Sequence, residues 1–215
     1  LFFITKKGLV KRVKTQEFDS IRNNGKIAIT LRDDDELFNV KATTGEDEII
    51  IAGSNGKAIR FDESEIRVMG RTASGVRGFN TDGSVVVGAA TSNEGTYLLS
   101  VSENGYGKKS EIDEYRKTNR GSKGVKTMNI TTKTGSLVNV RAVNGDEDAM
   151  IVTDDGIIIR ISLENVGVYG RNTQGVKLIN VNENETVSKI AIVEKSEDYE
   201  ETGEESEAAV PVNNE

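Results

Sequence analysis

GRNTQGVKL, residues 170–178, has near-copies at two other places, GRTASGVRG at 70–78 and NRGSKGVKT at 119–127. Their shared glycines, Gly75, Gly124 and Gly175, continue back to Gly25 with spacings of 50, 49 and 51. A second series, Gly8, Gly56, Gly105 and Gly156, keeps spacings of 48, 49 and 51. Two landmarks with one period identify a chain built from a single unit written four times.

Each unit reads as strands joined by turns. Runs such as IIIA at 49–52 and YLLS at 97–100 suit buried strands, and they lead into Asn55-Gly56, Asn104-Gly105 or Asp155-Gly156. Those dipeptides suit type I′ hairpins, which need positive φ at both central residues. A second strand follows at 57–61 or 157–161, then a polar loop to the second glycine. A third strand is expected beyond it, such as 27–31, then a turn such as Asp82-Gly83 or Thr134-Gly135, and a fourth strand such as 137–143. Helical periodicity is absent. The reading is all-β, with four-stranded antiparallel blades of about 50 residues near 1–48, 49–96, 97–149 and 150–193.

Composition narrows the chemistry. The 215 residues include 22 glycines, one proline, and neither cysteine nor histidine. Disulfides, Cys nucleophiles, His triads and His metal sites are excluded together. Net charge is −7, but residues 194–215 hold nine acids against Lys195 alone. The body, 1–193, is left with 26 acids and 27 bases, and the tail reads as acidic and disordered. The chain does not begin with Met and is expected to be part of something longer.

Basic residues recur in register. Four residues after the first glycine stand Arg12, Arg60, Lys109 and Arg160. Four before the second stand Arg71, Arg120 and Arg171, and two after it Arg77, Lys126 and Lys177. The first unit departs, offering Arg22 and Lys26, while Lys108 and Lys123 lie beside the repeated positions. A charge on an exposed strand or loop is usually only a solvated one. Repetition instead suggests a regular positive belt, suited to a polyanion. Few aromatics are present, so base stacking is disfavoured against backbone binding of duplex DNA with bending.

GRNTQGVK (170–177), NGYGKK (104–109), TGEDE (44–48) and DEL (35–37) resemble the C-terminal domain of the DNA gyrase A subunit, over essentially all of 1–193. The resemblance implies a β-pinwheel, a propeller-like disc usually of six blades in which neighbouring blades exchange strands. The units here look most like the last four. It implies a perimeter that bends DNA, with the fourteen basic residues above as its contacts, and support of ATP-dependent negative supercoiling by the whole enzyme. Implied partners are duplex DNA, the remainder of the gyrase A chain and the gyrase B chain in an A2B2 heterotetramer, in the bacterial cytoplasm at the nucleoid. ATP and Mg2+ would act elsewhere in that assembly, and no cofactor or metal is expected in this chain. The family's Gln-Arg-Arg-Gly-Gly-type basic box is absent from the sequence. The alternatives are the related domain of topoisomerase IV, whose repeats are more degenerate, and a protein-binding propeller scaffold.

No residue is expected to be catalytic. Tyr97, Tyr106, Tyr115 and Tyr169 fall on the repeat and Tyr199 in the tail. A phosphate-binding loop around GYGKKS fails, because Ser102 and Lys109 stand where Gly and Ser/Thr are required. DDDE at 33–36 reads as a solvated hairpin turn, without calcium-loop spacing.

Overall fold

The computed structural model describes residues 1–21, 23–182 and 184–195, and its regular structure is all-β apart from four short 3-10 turns. The first unit supplies β1 (Phe2–Thr5), β2 (Leu9–Arg12) and β3 (Leu37–Lys41). The second supplies β4 (Glu48–Gly53), β5 (Lys57–Asp62), β6 (Val76–Arg77) and β7 (Val86–Thr91). The third supplies β8 (Tyr97–Ser102), β9 (Tyr106–Glu111), β10 (Val125–Lys126) and β11 (Leu137–Val143). The fourth supplies β12 (Asp148–Thr153), β13 (Ile158–Ser162), β14 (Val176–Lys177) and β15 (Val187–Val193). A 3-10 turn follows the second strand of each unit, at Thr15–Phe18, Glu63–Glu65, Ile112–Glu114 and Leu163–Asn165.

The short strands do not pair within their own units. β6 pairs with β2, β10 with β5 and β14 with β9, so each of the first three blades takes its outermost strand from the unit that follows, while the fourth is three-stranded among the described residues. The first blade therefore runs β3-β1-β2-β6 from inside to outside. At the centre, β7 and β11 meet in parallel through Val140 and Gly88. All four inner strands line one cleft of about 450 Å³.

The core lies between blades rather than inside them. Ile49 and Ile51 pack with Phe2, Ile4 and Val10 of the first blade, while Ile50 and Ala52 pack with Leu98, Tyr115 and Leu137 of the third. Both faces of β4 are thus covered, which is why IIIA is a continuous apolar run instead of an alternating one. Leu99 and Val101 repeat the arrangement against Ile151, Leu163 and Ile190 of the fourth blade.

Three local expectations change. Among the described residues, positive φ outside glycine occurs only at Asp34, Asp82 and Asn184, so Asn55, Asn104 and Asp155 do not form type I′ turns. Gly56 N–H instead bonds to Gly53 O at 3.0 Å, with Gly56 at φ 76°: a type I turn closed by a left-handed glycine bulge. The I′ geometry occurs at Asp82-Gly83, where φ is 55° and 84°. Second, 27–31 is not a strand. Its equivalents become strands by pairing with the preceding unit's blade, and 27–31 pairs with none of the described strands. Third, Val176, the apolar residue of the repeated Gly-Val-basic triplet and so expected to point into the blade, is instead 38% exposed. DDDE contains a turn as expected, but Asp35 is buried rather than solvated, its Oδ1 accepting the Lys7 and Glu36 amides.

Candidate nucleic-acid interface

Three of the first basic series sit in the junctions between blades, Lys109 buried and Arg12 and Arg60 half-buried, while Arg160 is exposed. Arg12 donates to Glu63 O and Ile66 O at 3.0 and 3.1 Å and pairs with Glu63. Arg60 donates to Ile112 O and Tyr115 O at 2.9 and 3.3 Å and pairs with Glu48. Lys109 donates to Leu163 O at 2.7 Å, above the Tyr97 ring. Each reaches the first carbonyl of the next unit's 3-10 turn, which also accepts that turn's closing amide, so the cation adds a second, charged donor from the neighbouring unit. The series spacing thus reports a clamp, and its side chains are not presented as a rim belt. Arg160, on β13, binds Asp148 at 2.7 Å and Glu194 O at 2.9 Å. Replacing Arg60 with Met is expected to cost about 1–2 kcal/mol, by removing the guanidinium from Tyr115 O and leaving Ile112 O with the turn's own amide alone. Thermal denaturation checks this; the salt dependence of any polyanion binding should stay unchanged.

The second and third series sit on the outer rim, where the loops before β6, β10 and β14 turn onto the neighbouring blade. Arg71 donates through Nη1 to Ile27 O at 2.8 Å, Arg120 to Arg77 O at 3.0 Å and Arg171 to Lys126 O at 3.0 Å. Each guanidinium therefore reaches the backbone of the preceding loop, at the position two beyond its glycine. Side by side this places Arg120 with Arg77 and Arg171 with Lys126, two basic pairs on successive loops. Arg77, Arg120, Lys126 and Lys177 are exposed. Lys123 is exposed too, bridging to Asp82 at 2.9 Å. That hydrogen bond and charge, helped by Lys57, hold the Asp82 carboxyl below the usual carboxylate range.

Carboxylates hold these loops. Glu65 accepts the Arg120 amide at 2.9 Å and Glu114 the Arg171 amide at 2.8 Å, while Glu17 lies 3.8 Å from Arg71 Nε. These acids share one position, the third residue of their 3-10 turns, at spacings of 48 and 49. A register of bases alone misses them, although the same spacing applied to acids finds them. It also misses Lys11, buried beneath the Arg71 loop.

The first unit remains the exception. Lys26 is half-buried and donates to Glu17 O at 3.2 Å. Arg22 and most of the acidic tail, 196–215, lie outside the described residues. Lys108, a surface contact on the sequence pattern, has no exposure, and its ammonium donates to Gly170 O at 2.6 Å. Burial, with the Arg171 charge, outweighs Glu114 and pushes its pKa down to about 8.

A depressed lysine pKa has a definite sign for stability. Between pH 8 and the ordinary value of 10.5, the unfolded chain holds the proton that folded Lys108 has lost. Stability should therefore rise with pH across that window, by about 3 kcal/mol in all. Denaturant unfolding at pH 7.5 and 10, compared with Lys108→Met, reads this difference.

Catalytic features do not assemble among the described residues. Tyr115 is buried against Thr127, and burial raises its pKa to about 12. Among the described residues, no group of three or more Asp or Glu is placed to hold a metal, and no helix is long and apolar enough to cross a membrane.

Comparison with known proteins agrees with this architecture. The family model described as DNA gyrase C-terminal domain, beta-propeller, matches residues 1–44, 47–93, 96–144 and 147–194. The DNA gyrase A subunit of Ureaplasma parvum serovar 3 is 50% identical over 198 residues, 92% of this chain and 24% of that protein. Its counterpart from Staphylococcus aureus is 45% identical over 209 residues, 96% of this chain and 24% of that protein. The chain thus spans about a quarter of the length of these curated relatives. A solved DNA gyrase A C-terminal domain superposes with a TM-score of 0.79 at 25% identity, covering 89% of this chain and 64% of the other. The C-terminal domain of DNA topoisomerase IV shares the fold, with a TM-score of 0.83 at 24% identity, covering 90% of this chain and 61% of the other. The strand exchange, the repeat register and the full-length match lead to one conclusion: the chain belongs to the DNA gyrase C-terminal domain family of β-propeller-like domains.

Proposed function

We propose that this chain binds the backbone of duplex DNA along its rim loops and bends the duplex around the edge, without reading bases. Within the gyrase A subunit, the bend would support ATP-dependent negative supercoiling by the whole enzyme. The observation that carries this reading is the ladder of loop contacts, Arg71 to Ile27, Arg120 to Arg77 and Arg171 to Lys126. It sets basic groups at intervals along one rim, each held from behind by backbone and carboxylate. Preordered guanidinium groups lose little entropy on meeting a phosphate, and regular spacing suits a repeating polyanion.

The contacts we assign are Lys26, Arg71, Arg77, Arg120, Lys123, Lys126, Arg171 and Lys177, with Arg22 added from the sequence pattern alone. Arg12, Arg60, Lys109 and Lys108 act instead through the packing that holds the loops. Chemistry would reside elsewhere, with ATP and Mg2+, in an assembly of two gyrase A and two gyrase B chains in the bacterial cytoplasm. Gyrase rather than topoisomerase IV is supported by relatives at 44–50% identity that carry the gyrase name.

Titration with a duplex of random sequence at several salt concentrations tests the reading. Neutralising about six phosphates gives a slope of log K on log salt of roughly −5. A flat response, or no duplex binding, overturns it. Ligation of nicked circular DNA with the chain bound then reads bending: a linking-number shift is expected from a wrap, and none from straight binding.

A further inference from the structure

Two lysines that no phosphate can reach lie directly under two of the rim loops. Lys11 and Lys108 are fully buried. Each stands three residues beyond its hairpin glycine, Gly8 or Gly105, and the equivalent positions in the other two units are Ile59 and Ile159. Lys11 Nζ donates to Ala28 O at 2.7 Å, Ala73 O at 3.0 Å and Gly70 O at 3.4 Å, and also to Arg71 O. Lys108 Nζ donates to Gly170 O at 2.6 Å. An apolar side chain occupies this place in two units, so filling the space does not require an amine. What the ammonium adds is a charged donor beneath the loop, to several carbonyls above Lys11 and to Gly170 O above Lys108.

The loops above differ in step with this residue. Over Lys11 and Lys108, the loop begins with Gly70 or Gly170 and closes a turn, Ala73 N–H to Gly70 O at 3.2 Å or Thr173 N–H to Gly170 O at 3.1 Å. The loop over Ile59 begins with Asn119. There Gly121 adopts φ +79° and donates to Gly78 O at 2.5 Å, and Thr118 and Ser122 hydroxyls meet at 3.3 Å. Lysine goes with the glycine-led turn, whereas the loop over Ile59 is led by Asn119 and turns at Arg120–Gly121 with Gly121 left-handed. The rim therefore carries two kinds of loop.

We propose that Lys11 and Lys108 are positioning residues, holding the Arg71 and Arg171 loops in the turned form that presents their guanidinium groups to DNA. This rests on the duplex-binding reading above. The charged groups felt by Lys108 are Glu114 and Arg171, and Lys11 feels Arg71.

The test uses the 215-residue chain carrying Lys108→Met, Arg171→Gln and both. Each single change should reduce the salt slope by about one and weaken duplex binding about tenfold at ~0.1 M salt. The double variant should bind like Arg171→Gln alone. A loss of fold lowers the active fraction but does not produce that non-additivity. An unchanged slope in Lys108→Met, or additive losses, overturns the proposal. Amide exchange separates it from the DNA reading. Lys108→Met should speed exchange at Thr173, and Lys11→Met at Ala73, by about tenfold, while Gly121 stays as it was. Unchanged exchange at Thr173 and Ala73 overturns the positioning role whatever the binding data show. Faster exchange there with Arg171→Gln binding normally overturns the DNA contact instead.

Discussion

Reversing Arg71, Arg120 and Arg171 to Glu together is expected to weaken duplex binding about a thousandfold at ~0.1 M salt. Each neutralised phosphate contributes a slope of about 0.9, which at ~0.1 M salt is close to one decade in affinity. Leaving three phosphates unneutralised therefore amounts to about three decades, and the new carboxylates add repulsion. The slope itself should fall by about three. The side chains donate to backbone at the surface, so each reversal should cost only about 1 kcal/mol of stability. A still cooperative melt, lowered by some ~6–12 °C, with abolished binding is therefore the expected pattern, and Arg→Gln at the same positions should give the same slope without the repulsion. Retained affinity in the triple variant would remove these loops from the interface and favour a protein-binding scaffold.

Gly124→Ala is expected to open the junction between the second and third blades, at a cost above about 4 kcal/mol. A Cβ at this position would lie 2.2 Å from Ala58 O, which is rigid ladder backbone, and the residue holds φ +67°. Either β10 leaves β5 or the blades separate, and both expose the core around Leu98 and Tyr115. Gly156→Ala provides the control. It also needs a left-handed conformation, φ +91°, but a Cβ there meets nothing within 4 Å. Only the backbone effect remains, about 1 kcal/mol, or some ~2–4 °C in melting temperature for a chain of this size. Circular dichroism melts of the two variants measure the contrast; similar shifts would show that close approach at Gly124 is not the constraint.

The same contrast explains why the glycine register was readable at all. Gly56 lies against Met128 O and Ile130, and Gly124 against Ala58 O, because one unit's strand crosses onto the last. At the two ends, Gly25 and Gly156 meet nothing within 4 Å yet keep positive φ and their place in the period. The sequence therefore recorded blade-to-blade contact as glycine spacing. Apolar runs such as IIIA similarly recorded strands covered on both faces.

Turn type was less legible. Asn-Gly suits both a two-residue I′ turn and a type I turn with a glycine bulge, and the longer loop Ser54–Gly56 is chosen by where β5 must start to pair with β4. Nor did a basic residue announce its role. Arg60 and Arg120 are alike in sequence, but one is turned into the carbonyls of a 3-10 turn and the other lies on the rim.

By itself, then, the sequence determined the all-β class, the fourfold unit and the candidate belt, because periodic contacts demand periodic residues. Tertiary structure alone decided which repeated cations serve the fold and which face outward. Periodicity records that each junction needs the same side chain; it does not record which side of the backbone that side chain takes. Exchange of β6, β10 and β14 settles this, burying the residues beneath the incoming strand and lifting the loop that carries it to the rim.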